Sequence, residues 1–276
     1  MSTTTQPSMA EFFNWRRHPF TDTYPLKQPF LSRRDERIRL QALSLLANGK
    51  SMALIGSSGT GKSTLVHHLI HSLDPHHYRP VLIHYGGLRR SGLLRAVADA
   101  LGVDPSGRNV PLIVKIHKQI SRLRTETNSL FPVFVIDDAQ LLERESLLDL
   151  CSLMSLPSKS TVAAALILVG DPTLAHSLQL RILDPISTRL TARFQLDSLD
   201  EEEAVAFVRF RLQLAQASYE LFSLEALALI ASHCHGNRRR IMNVGTLLLE
   251  EAFLRQEKSV SPQLVLDSDL IDFALS

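Results

Sequence analysis

Eight residues from Gly56 to Ser63 read GSSGTGKS and fill every fixed position of the pattern G-x-x-x-x-G-K-[ST]. The glycines at this stretch, Gly56, Gly59 and Gly61, let a loop wrap tightly and turn its N–H groups toward phosphate oxygens. Lys62 would neutralise the β- and γ-phosphates, and the Ser63 hydroxyl would complete a Mg2+ shell. Ser57, Ser58, Thr60 and Thr64 complete the phosphate-contacting stretch. A second constellation is VFVIDDAQLL, Val133 to Leu142, where four apolar residues run into two aspartates. An acid ending a buried strand, Asp137, can hold Mg2+ through water beside the first loop. Asp138 follows where an acid would prepare the attacking water. The chemistry these residues predict is binding of ATP with Mg2+ and its hydrolysis.

Asp138 sets the expected rate. A glutamate would reach one methylene farther, roughly 1.5 Å. Misplacing a base by about 1 Å can cost on the order of a hundredfold, although an intervening water restores reach. The expectation is a slow ATPase.

Three further features belong with these. LILVGDPTL ends an apolar run at Asp171, near where a side chain would sense the γ-phosphate. In DPISTRLTARFQLDSL, Arg189 and Arg193 stand four apart. They either stabilise transition-state charge across a subunit boundary or are ordinary helix-surface residues. HGNRRRIMN places Arg238, Arg239 and Arg240 at the start of a late helix, from which an arginine could reach the nucleotide.

The elements that must position these residues follow a regular alternation. The apolar runs SMALIG, PVLIHY, FPVFVID, VAAALILVG and ARFQL are short, continuous and separated by helix-length segments, as buried parallel strands are. They predict an α/β domain over residues 34–199, with a five-stranded parallel sheet flanked by helices. Before it, residues 1–33 are polar and punctuated by Pro7, Pro19, Pro25 and Pro29, which reads as an arm. Its Phe12, Phe13, Trp15 and Phe20 are expected against the nucleotide domain or a neighbouring subunit. After it, residues 200–276 carry helical patterns near Ser223–His233, Arg238–Arg255 and Pro262–Leu275, a helical lid. DSLDEEEAVAFVRFRL opens that lid with capping residues and first-turn acids.

The bulk numbers agree with such a protein. The chain has 276 residues, 45% apolar and 21% charged, enough for a core and a soluble surface. No run approaches the roughly 20 apolar residues of a membrane span, and MSTTTQPSMAEFF lacks the pattern of a secretory signal. Cys151 and Cys234 supply no disulfide framework. A cytoplasmic protein without a membrane partner is expected. Net charge is only +2, but arginines cluster at 16–17, 33–34, 89–90 and 238–240, where they can address phosphates locally.

In motif order the chain resembles the AAA+ ATPases: phosphate loop, acid-ended strand, polar strand end, arginine pair, and a lid with G-x-x-R. Within them it is most similar to the branch of ExeA-like secretion ATPases and the transposition regulators MuB, TniB and TnsC. The similarity runs from HPF (His18 to Phe20) to about residue 255, through GSSGTGKSTL, IDDAQLL, LVGDPTL and HGNRRRIMN. It implies Arg189 or Arg193 as a finger on a neighbour's ATP, Arg239 as the lid sensor, and a homo-oligomer, ring or helical filament. Two departures stand out: Asp138 replaces the usual Glu, and Asp171 replaces a neutral sensor. The resemblance also implies non-specific double-stranded DNA against the stretches HYGGLRRSGLL and GVDPSGRNV, hence Arg89, Arg90 and Arg108, with Lys115 and Lys118 weaker candidates. The leading expectation is an ATP-gated regulator of DNA transposition that recruits a transposase or other transposition proteins. The rival is an ExeA-like ATPase for assembling a secretion complex, a branch whose usual membrane anchor and cell-wall-binding extension are not in these residues. A third is a nucleotide-switched scaffold without DNA affinity. The histidines of VHHLIHSLDPHH and SHCHGN read as ordinary helix residues, and Cys151 as core.

Overall fold

The computed structural model describes residues 8–23, 28–84, 88–106, 110–125, 129–156 and 159–267. The chain divides into two compact units. One, the nucleotide unit, comprises Arg33–Ser58 and Lys62–Leu196. The other, the helical unit, comprises Asp197–Ser276 together with Met1–Ser32 and the loop tip Gly59–Gly61.

In the nucleotide unit, helix α2 (Arg33–Ala47) stops at Asn48-Gly49, where Gly49 takes a φ of 64°. Strand β1 (Ser51–Ile55), helix α3 (Lys62–His71), β2 (Tyr78–His84), α4 (Arg90–Ala100), α5 (Leu112–Thr125) and β3 (Phe131–Asp137) follow in alternation. After α6 (Arg144–Leu153), a small antiparallel pair, β4 (Ser155–Leu156) and β5 (Lys159–Val162), precedes β6 (Ala165–Gly170). The run VAAALILVG was expected as a single strand; its first residue, Val162, instead ends the antiparallel pair. Short helices α7 (Pro172–Ser177) and α8 (Asp184–Ser187) then lead to β7 (Leu190–Gln195).

The sheet has five strands in the order β2-β3-β6-β1-β7, with every pairing parallel. Every residue of β1 and β6 is buried, which is why these sequences are apolar without alternation: helices cover both faces. The edge strand β2 alternates instead, with Val81 and Ile83 buried and Leu82 and His84 exposed. Register aligns the carboxyl ends, pairing Ile55 with Gly170 and His84 with Asp137. Polar residues that terminate these strands therefore meet at one edge, where ligands of open parallel sheets bind.

The helical unit packs α9 (Glu201–Ala215), α10 (Leu224–His233), α11 (Arg238–Leu254) and α12 (Pro262–Asp267) around its own core. Asp200 caps α9 in a reciprocal box with Glu203, as its acid-rich opening predicts. Of the expected helix Pro262–Leu275, residues beyond Asp267 lie outside the described residues.

The N-terminal segment corrects an expectation. It is not a bare arm: α1 (Met9–Phe13) and the residues after it deliver Phe12, Phe13, Trp15 and Phe20 into the core of the helical unit. Phe20 lies on α11 at Gly245, where an added Cβ would collide with its ring. The buried guanidinium of Arg211 donates to Pro19 O (2.8 Å) and to Thr21 O, and Lys258 Nζ donates to Phe12 O (2.8 Å). The prolines give the segment the look of an arm, but its described residues form a short helix followed by turns and bends. Its aromatics are buried, and each such side chain stabilises the unit by about 1.5–3 kcal/mol.

Candidate active site

The phosphate loop leaves β1 at Gly56, whose N–H donates to Gly170 O at the end of β6 (3.1 Å). Gly59 and Gly61 have φ of 80° and 96°, backbone that favours glycine, so these two positions need it for the turn itself. Lys62 and Ser63 open α3, placing both side chains at a helix N-terminus whose dipole favours phosphate. Lys62 Nζ donates to Gly56 O (2.7 Å) and Ser57 O (2.9 Å), so the ammonium lies along the loop. Ser58 and Ser63 are exposed, and Thr64 is half-buried.

β3 brings the acids. Ser63 Oγ donates to Asp137 Oδ2 at 2.7 Å, across 74 residues of sequence. The expected Mg2+ ligands are therefore together, and a hydroxyl facing a carboxylate is a hard-oxygen pair that suits Mg2+. Asp137 is buried and also accepts the Asp138 N–H through Oδ1 (3.0 Å). Asp138 turns the chain with φ 53° and ψ 39°, a left-handed conformation that short-chain Asp and Asn tolerate better than most. Its Oδ1 accepts from Gln140 Nε2 (3.1 Å).

Two residues that sequence reasoning passed over complete this edge. Gln140 Oε1 accepts the Asp171 N–H (3.3 Å), linking the ends of β3 and β6. His84, the last residue of β2, brings Nδ1 within 3.6 Å of Asp137 Oδ2 and Nε2 within 4.0 Å of Asp138 Oδ2. The signal for His84 was register: the polar residue that ends a strand beside β3 must neighbour its acids. Asp171 accepts from Thr173 N (2.8 Å) and Thr173 Oγ1 (2.5 Å) as the cap of α7, so its carboxylate serves the helix.

The arginines divide. Arg189 Nη1 donates to Pro185 O (2.6 Å) and lies 3.2 Å from Cys151 Sγ, a thiol that burial pushes up against the opposing Arg189 charge. Arg193 lies on β7 and donates to Ser187 Oγ. The pair is not spaced along one helix, as one reading had it, because β7 begins between them; both are exposed. Within the helical unit, Arg239 N–H donates to Gly59 O (3.3 Å), and the guanidinium brought to Thr60 O is that of its neighbour Arg238. Gly236 (φ 65°) admits no side chain there, since a Cβ would strike Leu199 O. Arg89 is exposed at the start of α4. Arg90 forks onto Asp149 of α6 (2.6 and 2.8 Å), which raises its pKa. Lys115 donates to Asp104 O (3.2 Å) and Ser106 O, Lys118 is exposed, and Arg108 lies outside the described residues.

The comparisons with known proteins agree with this geometry. Residues 46–178 match the family described as "AAA domain". These residues are similar to that family, and the sheet they contribute to has the AAA+ α/β fold. The chain is 28% identical to the general secretion pathway protein A of Aeromonas hydrophila over 252 residues, 89% of this chain and 45% of that protein. It spans about half the length of the curated relatives it matches. The fold is that of Cdc6p from Pyrobaculum aerophilum (TM-score 0.71, 18% identity, 89% of this chain and 68% of that one). It is also that of the Aeropyrum pernix ORC1 protein solved in complex with DNA (TM-score 0.67, 16% identity, 90% and 67%). No helix among the described residues is long and apolar enough to cross a membrane.

Proposed function

We propose that the protein is a slow, ATP-gated switch that assembles on duplex DNA and regulates DNA transposition. The observation that carries the enzymatic part is the Ser63–Asp137 hydrogen bond, which joins the phosphate loop to the acid-ended strand. Ser63 and Asp137 would hold Mg2+, which when bound neutralises charge on the β- and γ-phosphates. Lys62 and the loop N–H groups bind and orient the phosphates. Asp138 takes the proton of the attacking water, and its short reach keeps turnover slow. Arg189 or Arg193 completes the site from a neighbouring copy, so ATP builds a homo-oligomer and hydrolysis releases it. Arg239 couples the lid to the nucleotide.

The DNA part is supported by exposed Arg89 and by the resemblance to transposition regulators. The alternative, an ExeA-like ATPase for assembly of a secretion complex, is supported by the match to the Aeromonas protein. ATP-dependent co-sedimentation with non-specific duplex DNA across a salt series separates them. Binding that requires ATP and weakens steeply with salt supports the DNA reading. Assembly with ATP but no DNA in the pellet hands the case to the secretion reading or a scaffold.

A further inference from the structure

The ends of β3 and β6 are bridged by one side chain. Gln140 lies in the short turn Ala139–Leu141 that follows Asp138. Its amide donates through Nε2 to Asp138 Oδ1 (3.1 Å) and accepts the Asp171 N–H through Oε1 (3.3 Å). Opposite it stands Gly170, the last residue of β6. A Cβ there would come within 2.8 Å of Gln140 Oε1 and 2.7 Å of Leu174 Cδ2. The space that a side chain at Gly170 would need is thus taken by Gln140 together with the fully buried Leu174.

Asp138 needs such a support. It stands at a left-handed turn, half-exposed, on a side chain one methylene shorter than glutamate. A carboxylate free to rotate about χ2 would present either oxygen in any direction, and small displacements of a base are costly. The Gln140 amide meets both demands, because it carries a donor and an acceptor at the end of one side chain. A carboxylate could accept from Asp171 N–H but would repel Asp138, and an apolar residue could do neither.

We propose that Gln140 is a positioning residue for hydrolysis: it clamps Asp138 Oδ1 to the end of β6 and leaves Oδ2 to take the proton from water. This rests on reading Asp138 as the acid that prepares the water. The bridge acts on the rate and not on nucleotide affinity, because no atom of Gln140 belongs to the phosphate loop.

The test compares kcat at saturating MgATP with the equilibrium Kd for a fluorescent ATP analogue, on the full chain, for wild type, Gln140→Glu, Gln140→Ala and Asp138→Asn. Gln140→Glu is nearly isosteric, so packing is kept while the donor is lost. The expected result is a fall in kcat of about tenfold or more for Gln140→Glu and Gln140→Ala, with Kd changed by less than about twofold. Wild-type kcat in Gln140→Glu, or a weaker Kd at unchanged kcat, overturns the proposal. Loss of turnover in Asp138→Asn with wild-type turnover in Gln140→Glu sinks Gln140 alone. Full turnover in Asp138→Asn removes Asp138 from its role, and the clamp with it.

Discussion

Ser63 Oγ and Asp137 Oδ2 share a hydrogen bond of 2.7 Å although 74 positions separate them in the chain. Ser63 opens the helix that follows β1 and Asp137 ends β3, two places from β1 in the sheet, so the helix begins at the edge where that strand ends. Asp137→Asn keeps the shape and removes the charge. Turnover at limiting Mg2+ should fall by about a hundredfold or more, and added Mg2+ should recover part of it. A Mg2+ titration of ATPase activity checks this; an unchanged Mg2+ midpoint counts against the assignment.

Asp138→Glu should speed hydrolysis by about tenfold or more, since the longer side chain reaches the water directly. Steady-state phosphate release measures it. If the wild type is already brisk and the variant no faster, the chain is not a slow switch.

Arg90 is held by Asp149, so Arg89 is the more available charge on that rim. Arg89→Glu should weaken duplex binding and reduce the salt slope by about 1. Asp149→Ala frees Arg90 and should strengthen binding and steepen the slope. A co-sedimentation series in which Asp149→Ala binds no better than wild type would place the phosphates elsewhere.

Phe20 packs against Gly245 within the helical core, and Arg211 anchors the carbonyls beside it. Phe20→Ala should destabilise the helical unit by about 3–5 kcal/mol. Denaturant unfolding followed by the fluorescence of the single tryptophan, Trp15, which stacks on Phe13, reads that unit directly. An unfolding midpoint like that of wild type would mean the segment is only laid on the surface.

Burial lowers the pKa of His117 and His68 in the nucleotide unit, and of His18 in the helical unit, where Arg211 adds to the effect and Glu250 opposes it. Each charges more readily when unfolded, so its contribution to stability is complete above the unfolded value of 6.5 and is lost as pH falls through the lower folded value. Melting temperature should therefore decline from pH 7.5 to pH 5.5. His117→Gln should flatten that decline, because His117 Nδ1 is buried without a partner among the described residues. A variant with the wild-type acid limb would assign the effect to other groups.

Much of this was legible because the relevant signals are local. GSSGTGKS needs only its own glycines and the apolar run before it, and β3 and β6 announce themselves by unbroken apolar character. What escaped depends on pairing between distant segments. His84 matters through its register with Asp137, and Gln140 through the missing side chain of Gly170. Arg90 looked like a free cation because its partner Asp149 is 59 residues away. The N-terminal aromatics were misplaced for the same reason: their cavity is built by helices that begin at Glu201.

That arrangement has a consequence for synthesis. The helical unit contains both the first and the last described residues, so the nucleotide unit is inserted into it along the chain. Phe12, Phe13, Trp15 and Phe20 leave the ribosome long before the helices that bury them. At about 5–20 residues per second, the interval is on the order of ten seconds or more. Through that time the nascent chain carries its N-terminal aromatics without the helices that cover them, while residues 33–196 are still being made.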